Sequence, residues 1–215
     1  MSDIDLVETG SGSDDDKDVP TLPADTLAIL EDFYKEQNKK HQNEEQGDIG
    51  EDWQLSQFWY DDHTATTLAE EVLKASSNGR ICCLCAPTLY KKLCQLRPDS
   101  CEIFLFEFDK RFAVFGQDFV YYDYNDPLGI PSRISKNSFD FVFADPPFLT
   151  EECFTKVAKT VEYLMKEKLM FCTGLRMQDT VEKMFDAKPC QFIPQHKNNL
   201  MNAFRCYTNY DCKLN

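Results

Sequence analysis

The residues best suited to chemistry are the four that follow an apolar run, Asp145-Pro146-Pro147-Phe148. A residue that precedes a proline is restricted to extended conformations, and each proline fixes its own φ angle, so this loop can barely flex. The two prolines also lack N–H groups, which leaves carbonyl oxygens beside the Asp145 carboxylate. A rigid group of acceptors next to an aromatic ring suits an amino group. The sequence therefore predicts a loop that holds an amino group still for a reaction.

Acids at the ends of two other predicted strands suit an adenosine-containing cofactor. Glu107 and Asp109 follow a strand predicted at 102–106, and Asp123 follows a strand predicted at 119–122. An acid after the second strand of such a sheet accepts hydrogen bonds from the ribose hydroxyls, and we expect the acid after the third to accept from the adenine amino group. Each carboxylate could instead face water at a strand end, but their joint pattern favours a cofactor site.

Patterns that bind phosphate or metal are not found in the sequence. The G-x-G-x-x-G and G-x-x-x-x-G-K-[ST] loops are both absent, which argues against ATP and NAD and is compatible with a cofactor without phosphate. Cys82 and Cys85 form a C-x-x-C pair, but no second pair or histidine lies at metal spacing. Cysteines that act as small buried hydrophobes are the favoured interpretation, and no metal is expected.

The net charge of −14 is concentrated near the amino terminus. Residues 1–52 carry 16 acids against 4 Lys or Arg, a net charge of −12, and residues 53–215 carry 21 acids against 19 bases, a net charge of −2. A nearly neutral domain disfavours a nucleic-acid partner only mildly. The ten cysteines, together with no recognisable signal peptide or membrane-length apolar segment, predict a cytoplasmic protein without a membrane partner.

The order of the predicted elements indicates one α/β domain behind two other segments. Strands are predicted at 80–85, 102–106, 119–122, the apolar run from 139 up to Asp145, 169–173, 190–194 and 204–210. Helices are predicted at 64–76, from 88 through 96, from 150 through 164, and between the fifth and sixth strands. Unpatterned apolar runs joined by helices are typical of a parallel sheet covered on both faces. We therefore expect a doubly wound, mostly parallel, seven-stranded Rossmann-like sheet with helices on both faces.

Three segments are expected along the chain. Residues 1–24 are rich in Asp, Ser and Gly and are predicted to be a disordered acidic tail, either simply solvated or acting as an electrostatic lure for a basic partner. Residues 25–52 are predicted to hold a short helix and a polar linker. Residues 53–215 are predicted to form the catalytic domain.

The loop at Asp145-Pro146-Pro147-Phe148 resembles the [DNS]-P-P-[YFW] motif of amino-group methyltransferases that use S-adenosylmethionine. From about residue 25 to the carboxyl terminus, the chain resembles the elongation factor 1-alpha lysine methyltransferase 1 family, formerly described as putative N6-adenine-specific DNA methyltransferases. The segments that carry this resemblance are WQLSQFWY at 53–60, FDKRF at 108–112, YDYN at 122–125 and FRCY at 204–207. The resemblance implies a monomeric class I methyltransferase whose cofactor is S-adenosylmethionine and whose protein substrate is elongation factor 1-alpha.

The resemblance also implies which residues form the site. Asp145 to Phe148 would be catalytic, with Asp145 orienting the amine rather than acting as a general base. Methyltransferases of this fold usually have a glycine-rich turn after the first strand, where this chain has Cys85-Ala86-Pro87-Thr88. We therefore expect the methionine end of the cofactor to contact Gln57, Phe58 and Trp59, although the aromatic residues 58–60 could instead just cap the core. The expected cofactor-binding set is Gln57, Phe58, Trp59, Cys85, Ala86, Pro87, Glu107, Asp109, Asp123 and Tyr124.

Two alternatives to lysine methylation remain open. Adenine suits the same loop, but it must be flipped out of a duplex or presented single-stranded, and a flipping enzyme needs a basic track for the phosphates. Lys91-Lys92, Lys110-Arg111 and Lys166/Lys168 are scattered pairs rather than a stripe, so a protein substrate is favoured and nucleic acid is not expected to be a partner. A non-catalytic binding module of the same fold is the second alternative, and the intact loop and crevice acids argue against it.

Overall fold

A seven-stranded sheet with helices forms the described part of the chain, which in this computed structural model comprises residues 49–198 and 203–214. The strands are β1 (Ile81–Leu84), β2 (Ile103–Glu107), β3 (Phe119–Tyr121), β4 (Phe139–Ala144), β5 (Met165–Gly174), β6 (Lys188–Pro189) and β7 (Phe204–Thr208). The α-helices are α1 (Asp62–Ala75), α2 (Pro87–Leu96), α3 (Glu151–Leu164) and α4 (Gln178–Phe185). Short 3₁₀ segments lie at Trp53–Leu55, Lys110–Asp118 and Leu175–Met177.

The strand order in the sheet is β3-β2-β1-β4-β5-β7-β6. The pairings β1–β2, β1–β4, β2–β3 and β4–β5 are parallel, whereas β7 runs antiparallel to both β5 and β6. The chain proceeds outward in one direction from β1 to β3 and then returns to place β4 on the other side of β1. An open sheet leaves a crevice at the carboxyl ends of its strands where the order reverses in this way.

The core divides into two clusters that take alternate residues of the central strands. Cys83 packs in the cluster that contains the buried faces of α1 and α2, and Leu84 packs in the cluster that contains those of α3 and α4. All four residues of β1 are fully buried as a result. Because both sides of the strand face a core, its sequence is apolar throughout and shows no alternation.

Side-chain caps fix the helices that flank the site. The Asp61 carboxylate accepts a hydrogen bond from the Thr64 amide at 2.7 Å, so α1 begins two residues before the predicted start. Thr150 caps α3 as predicted, with its hydroxyl accepting from the Cys153 amide at 3.2 Å. A polar side chain at this position typically stabilises a helix by about 1 kcal/mol. The cap on α3 also fixes where the loop after β4 ends.

The sixth strand differs from the prediction. It lies at Lys188–Pro189 and not at 190–194. The Cys190 amide still donates to the Cys206 carbonyl, but after Cys190 the chain diverges from β7. The Phe192 amide then donates to the carbonyl of Leu214 instead of to a strand.

Smaller differences occur at other predicted elements. β5 begins at Met165 rather than at 169. Met165 pairs with Phe139, and a register shift separates this pair from the rest of the pairing between β4 and β5. β7 ends at Thr208 rather than at 210. The predicted linker contains Ile49, which is fully buried in the core, while the helix predicted after residue 25 lies outside the described residues.

Candidate functional site

A cavity of about 570 Å³ opens at the crevice between the strand ends. This volume is within the usual range for a site that binds a small molecule or cofactor. The carboxyl ends of β1, β2 and β4 contribute to the cavity, together with the segment before α1 and the residues after β3. The lining residues are 54–60, 85–88, 107–108, 122–125, 145–149, 196 and 204.

The structure brings the sequence-predicted site residues together around this cavity, with one exception. The lining includes the expected catalytic residues 145–148 and, of the expected cofactor-binding residues, Gln57, Phe58, Trp59, Cys85, Ala86, Pro87, Glu107, Asp123 and Tyr124. The exception is Asp109, which does not line the cavity.

The two acids after β2 have different partners. Glu107 lines the cavity, and its Oε1 accepts hydrogen bonds from the amides of Phe108 and Asp109 at 3.1 and 3.2 Å. Asp109 Oδ2 instead accepts from Arg111 Nη2 at 2.7 Å and from Gln57 Nε2 at 3.1 Å. Burial raises the pKa of Glu107 to about 7. Burial opposes ionisation of Asp109 as well, but the bonds from Arg111 and Gln57 outweigh it and hold the pKa of Asp109 below its ordinary value.

Gln57 is a structural link between the segment before α1 and the end of β2. Its Oε1 accepts from the Asp52 amide at 3.0 Å and from Arg111 Nη2 at 3.4 Å. The Arg111 guanidinium also donates to the Gly50 carbonyl at 3.3 Å. The Gln57 side chain is buried and hydrogen-bonded at both ends of its amide. Its sequence neighbours Phe58 and Trp59 are thereby held against the cavity.

Asp145 is the first residue after β4, and its amide donates to the Leu84 carbonyl at the end of β1 at 3.0 Å. Its Oδ2 accepts a hydrogen bond from the Tyr60 hydroxyl at 2.6 Å. Burial raises the pKa of Asp145 to about 7; the bond from Tyr60 opposes this rise, and the charge of Glu107 adds to it. Burial also raises the pKa of Tyr60 well above its ordinary value, so the phenol keeps its proton and acts as the donor.

The rest of the loop forms the mouth of the cavity. Pro146 is buried and Pro147 half-buried, whereas the Phe148 side chain is 42% exposed. The Phe148 ring meets the Tyr124 ring edge to face, with 5.9 Å between the centroids. Two aromatic rings at an exposed mouth can pack against the stem or the charged end of an incoming side chain.

The turn after β1 takes the place of the usual glycine-rich turn. Cys85 has a φ of 54°, a left-handed conformation that favours glycine, and its amide donates to the Phe106 carbonyl at 2.8 Å. Ala86 then occupies the N-cap of α2 and offers no side-chain acceptor, while Pro87 begins the helix. An uncapped helix start presents amide donors that suit an anionic group.

Trp59 is also part of the cavity wall. Its indole Nε1 is buried and has no hydrogen-bond partner among the described residues, and the whole side chain is only 9% exposed. Two ammonium groups lie near the ring, with Lys91 Nζ at 4.5 Å and Lys197 Nζ at 5.3 Å from its centroid. Uncapped amides, an unpaired indole N–H and a buried acid fit the carboxylate and ribose of S-adenosylmethionine.

Tyr60, His196 and Phe204 line the cavity and were not among the predicted site residues. The run FWY at 58–60 gave a signal for Tyr60, but aromatic residues there equally suit a core cap. His196 packs its ring 5.0 Å from Tyr60 and 4.8 Å from Phe204. No spacing in the sequence indicated His196, because it reaches the site through an isolated bridge to Tyr60 from a segment distant in the chain.

Two kinds of feature are missing from the described ranges, 49–198 and 203–214. Their His, Cys, Asp and Glu side chains form no group of three that could hold a metal ion. In the same ranges, the α-helices are too short or too polar to cross a membrane.

Comparison with known proteins places the chain in a family. A family model described as probable N6-adenine methyltransferase matches residues 51–212. EEF1A lysine methyltransferase 1 of Homo sapiens is 47% identical over 206 residues, covering 93% of this chain and 96% of the human protein. The Danio rerio protein of the same name is 51% identical over 164 residues, covering 74% of this chain and 99% of that protein. Protein-lysine N-methyltransferase EFM5 of Saccharomyces cerevisiae is 39% identical over 231 residues, covering 89% and 92% of the two chains. The chain therefore belongs to the probable N6-adenine methyltransferase family and to the family of EEF1A lysine methyltransferase 1.

Proposed function

We propose that the protein is an S-adenosylmethionine-dependent protein-lysine N-methyltransferase whose substrate is translation elongation factor 1-alpha. The observation that carries this proposal is the Asp145 carboxylate at the start of a rigid proline loop, inside a cavity that also holds the buried Glu107. The relatives that cover nearly all of this chain are named as lysine methyltransferases, which supports lysine as the acceptor.

The cofactor supplies an electrophilic methyl group on its sulfonium when bound. We assign the ribose hydroxyls to Glu107, which lines the cavity, and not to Asp109, whose carboxylate is taken up by Arg111 and Gln57. Asp123 would accept from the adenine amino group, with Tyr124 beside it. The amino end of α2 and the Trp59 indole N–H would bind the methionine carboxylate. Gln57 contributes by holding Phe58 and Trp59 in place.

The loop residues position the amine that is methylated. The Asp145 carboxylate and the Pro146 carbonyl accept its hydrogens, which directs the nitrogen lone pair toward the methyl carbon along one line of approach. Phe148 and Tyr124 pack on the lysine stem at the cavity mouth. Freeing the lone pair of an ammonium group with a pKa near 10.4 costs about 5 kcal/mol at pH 7. Desolvation in the cavity lowers that cost and an ionised Asp145 raises it, so Asp145 orients the amine and is not the base.

We propose the finer features of the protein on the same basis. The four parallel pairings and the two-sided core support a doubly wound, Rossmann-like arrangement. Residues 53–215 form the proposed catalytic domain, with Ile49 packed against it. A monomer that meets elongation factor 1-alpha in the cytoplasm is the proposed state.

Transfer to the N6 atom of adenine is the second candidate. The description of the matching family model names this reaction, and the exposed Phe148 ring could stack on a base. It would require a basic track beside the mouth for the phosphates. The exposed acids Asp126 and Glu151, near the ends of β3 and β4, favour a basic protein substrate instead.

The test separates cofactor binding from methyl transfer. Calorimetry with S-adenosylmethionine should show binding to the full chain, and a titration without measurable heat would remove the enzyme assignment. We expect Asp145→Ala to abolish methyl transfer to elongation factor 1-alpha while the cofactor Kd stays within about tenfold, because this carboxylate acts on the substrate amine. A variant with nearly normal turnover would show that the carboxylate does not orient the amine.

A further inference from the structure

The hydroxyl of Tyr60 makes the closest polar contact to the group that is proposed to orient the amine. Tyr60 is 1% exposed, and its Oη lies 2.6 Å from Asp145 Oδ2. No other described side chain hydrogen-bonds to this carboxylate. A hydrogen bond of this length between a hydroxyl and a carboxylate is of the strong, charge-assisted kind.

The backbone around Tyr60 is fixed from both sides. Tyr60 pairs with His196 through an isolated antiparallel bridge, and its ring lies 5.0 Å from the imidazole. On either side of it, the Lys197 amide donates to the Trp59 carbonyl at 2.8 Å and the Asp61 amide donates to the Gln195 carbonyl at 3.0 Å. The phenol therefore reaches Asp145 from a rigid support and not from a mobile loop.

We propose that Tyr60 is a positioning residue for methyl transfer, which holds Asp145 Oδ2 so that the other carboxylate oxygen accepts a hydrogen from the substrate amine. This proposal rests on the proposed function. A carboxylate at the end of a strand can rotate about its side-chain torsions, and one strong donor on Oδ2 removes that freedom. It also favours the ionised form, which alone can accept hydrogen bonds through both oxygens.

Other titratable groups surround Asp145 and enter any pH dependence. Glu107 at the end of β2 opposes ionisation of Asp145 by its charge. The thiols of Cys85 after β1 and Cys172 on β5 face the carboxylate, and burial raises the pKa of both thiols, so they remain neutral. Burial lowers the pKa of His196, which packs on the far side of Tyr60. Tyr60 is thus the group that offsets the burial of Asp145.

Tyr60→Phe removes the hydroxyl and keeps the ring. Tyr210→Phe is a matched control, because the Tyr210 hydroxyl also donates to an acid, Glu71 Oε1 at 3.2 Å, away from the cavity. We expect Tyr60→Phe to lower kcat about tenfold at pH 7, with the KM for elongation factor 1-alpha and the cofactor Kd changed less than about threefold. Tyr210→Phe should keep kcat within about twofold of the wild type.

The pH profile separates positioning from a packing defect. Without the phenol the pKa of Asp145 rises, so the ratio of variant to wild-type kcat should increase from pH 7 to pH 9, and the titration of the substrate lysine cancels in that ratio. Carbon-13 NMR can follow the titration of the Asp145 carboxyl group, whose signal is assigned by its absence in Asp145→Asn. The midpoint of this titration should lie about one pH unit higher in Tyr60→Phe than in the wild type. In the Asp145→Asn background, Tyr60→Phe should change kcat less than about twofold.

The NMR midpoint requires no substrate, so it distinguishes this proposal from the proposed function. If the wild type does not methylate elongation factor 1-alpha, the proposed function fails, and the midpoint still decides the effect of Tyr60 on Asp145. An unchanged midpoint, or a loss of kcat that is constant with pH, would overturn the positioning role. If Tyr60→Phe does not fold, 3-fluorotyrosine at position 60 makes a stronger donor and should lower the midpoint; a midpoint that does not fall would overturn the proposal.

Discussion

At the scale of single residues, two carboxyl groups line one cavity, with Glu107 buried and Asp145 half-buried. Burial raises the pKa of both Glu107 and Asp145 to about 7. A carboxyl group whose pKa is higher in the folded than in the unfolded chain binds its proton more tightly when folded. Its contribution to the free energy of unfolding is therefore complete below the unfolded pKa and is lost as the pH rises through 7. Without a ligand, the two carboxyl groups therefore lower the free energy of unfolding at pH 7 and above.

The cost of Glu107 can be measured by removing its charge. The rise of its pKa from 4.5 to about 7 corresponds to a destabilisation of at most about 3–4 kcal/mol at pH 8. We expect Glu107→Gln to raise the free energy of unfolding by about 2 kcal/mol at pH 8 and to leave it nearly unchanged at pH 5, measured by urea denaturation without cofactor. The same substitution at the exposed Glu162 should have no effect at either pH.

Glu107→Gln should also weaken cofactor binding at least about tenfold, because the proposed acceptor of the ribose hydroxyls is replaced by an amide. Calorimetry on the same protein samples provides this value. A variant that is more stable and binds S-adenosylmethionine as well as the wild type would show that Glu107 is not the ribose ligand.

At the scale of elements, the turn from β1 to α2 brings the strand end and the helix start to the cavity without a glycine. Cys85 adopts a φ of 54°, which costs a residue with a side chain about 1 kcal/mol relative to glycine. The fold retains this conformation because the Cys85 amide hydrogen-bonds to β2. In addition, α2 begins two residues later, at Pro87.

We expect Cys85→Gly to be more stable than Cys85→Ala by about 1 kcal/mol in urea denaturation. Both variants lose the thiol, so their difference isolates the backbone conformation. Equal stabilities, or a more stable alanine variant, would contradict the left-handed conformation at this position.

The elements also show what could be predicted from sequence and what could not. The strands β1, β2 and β4 could be placed closely, because a strand buried on both faces has a continuous apolar run with a sharp polar end, as at Glu107 and Asp145. The same rule failed at 190–194, where Cys190 and Phe192 contact the carboxyl-terminal segment and no strand forms. An apolar pattern in the sequence indicates that a segment packs against the fold, but it does not indicate which part of the fold it contacts.

The site residues also divide into those that the sequence could indicate and those that it could not. Asp145 and Glu107 carried their signal in the residues around them, whereas the Tyr60–Asp145 bond joins positions 85 residues apart. Glu107 and Asp109 both follow the predicted second strand, and their different partners depend on Arg111, which is two residues from Asp109 in the chain, and on Gln57, which only the fold brings to Asp109.

At the scale of the whole molecule, charge is divided unevenly along the chain, since residues 1–52 carry 16 of the 37 acids. A basic substrate would be attracted to such a region, and the attraction would be screened by salt. We expect replacement of Asp14, Asp15 and Asp16 by Asn to raise the KM for elongation factor 1-alpha about twofold at low ionic strength, with kcat unchanged. The difference should vanish in high salt, and a change in kcat would contradict a purely electrostatic role.

The Asp145 loop is proposed to present a protein lysine, and not adenine, to the methyl donor. The most direct measurement incubates the full chain with methyl-labelled S-adenosylmethionine and, in parallel, elongation factor 1-alpha or DNA, with Asp145→Ala as the control. We expect label on a lysine of elongation factor 1-alpha, located by peptide mass spectrometry, and none in DNA or with the variant. Label that appears only in DNA would contradict lysine as the methyl acceptor.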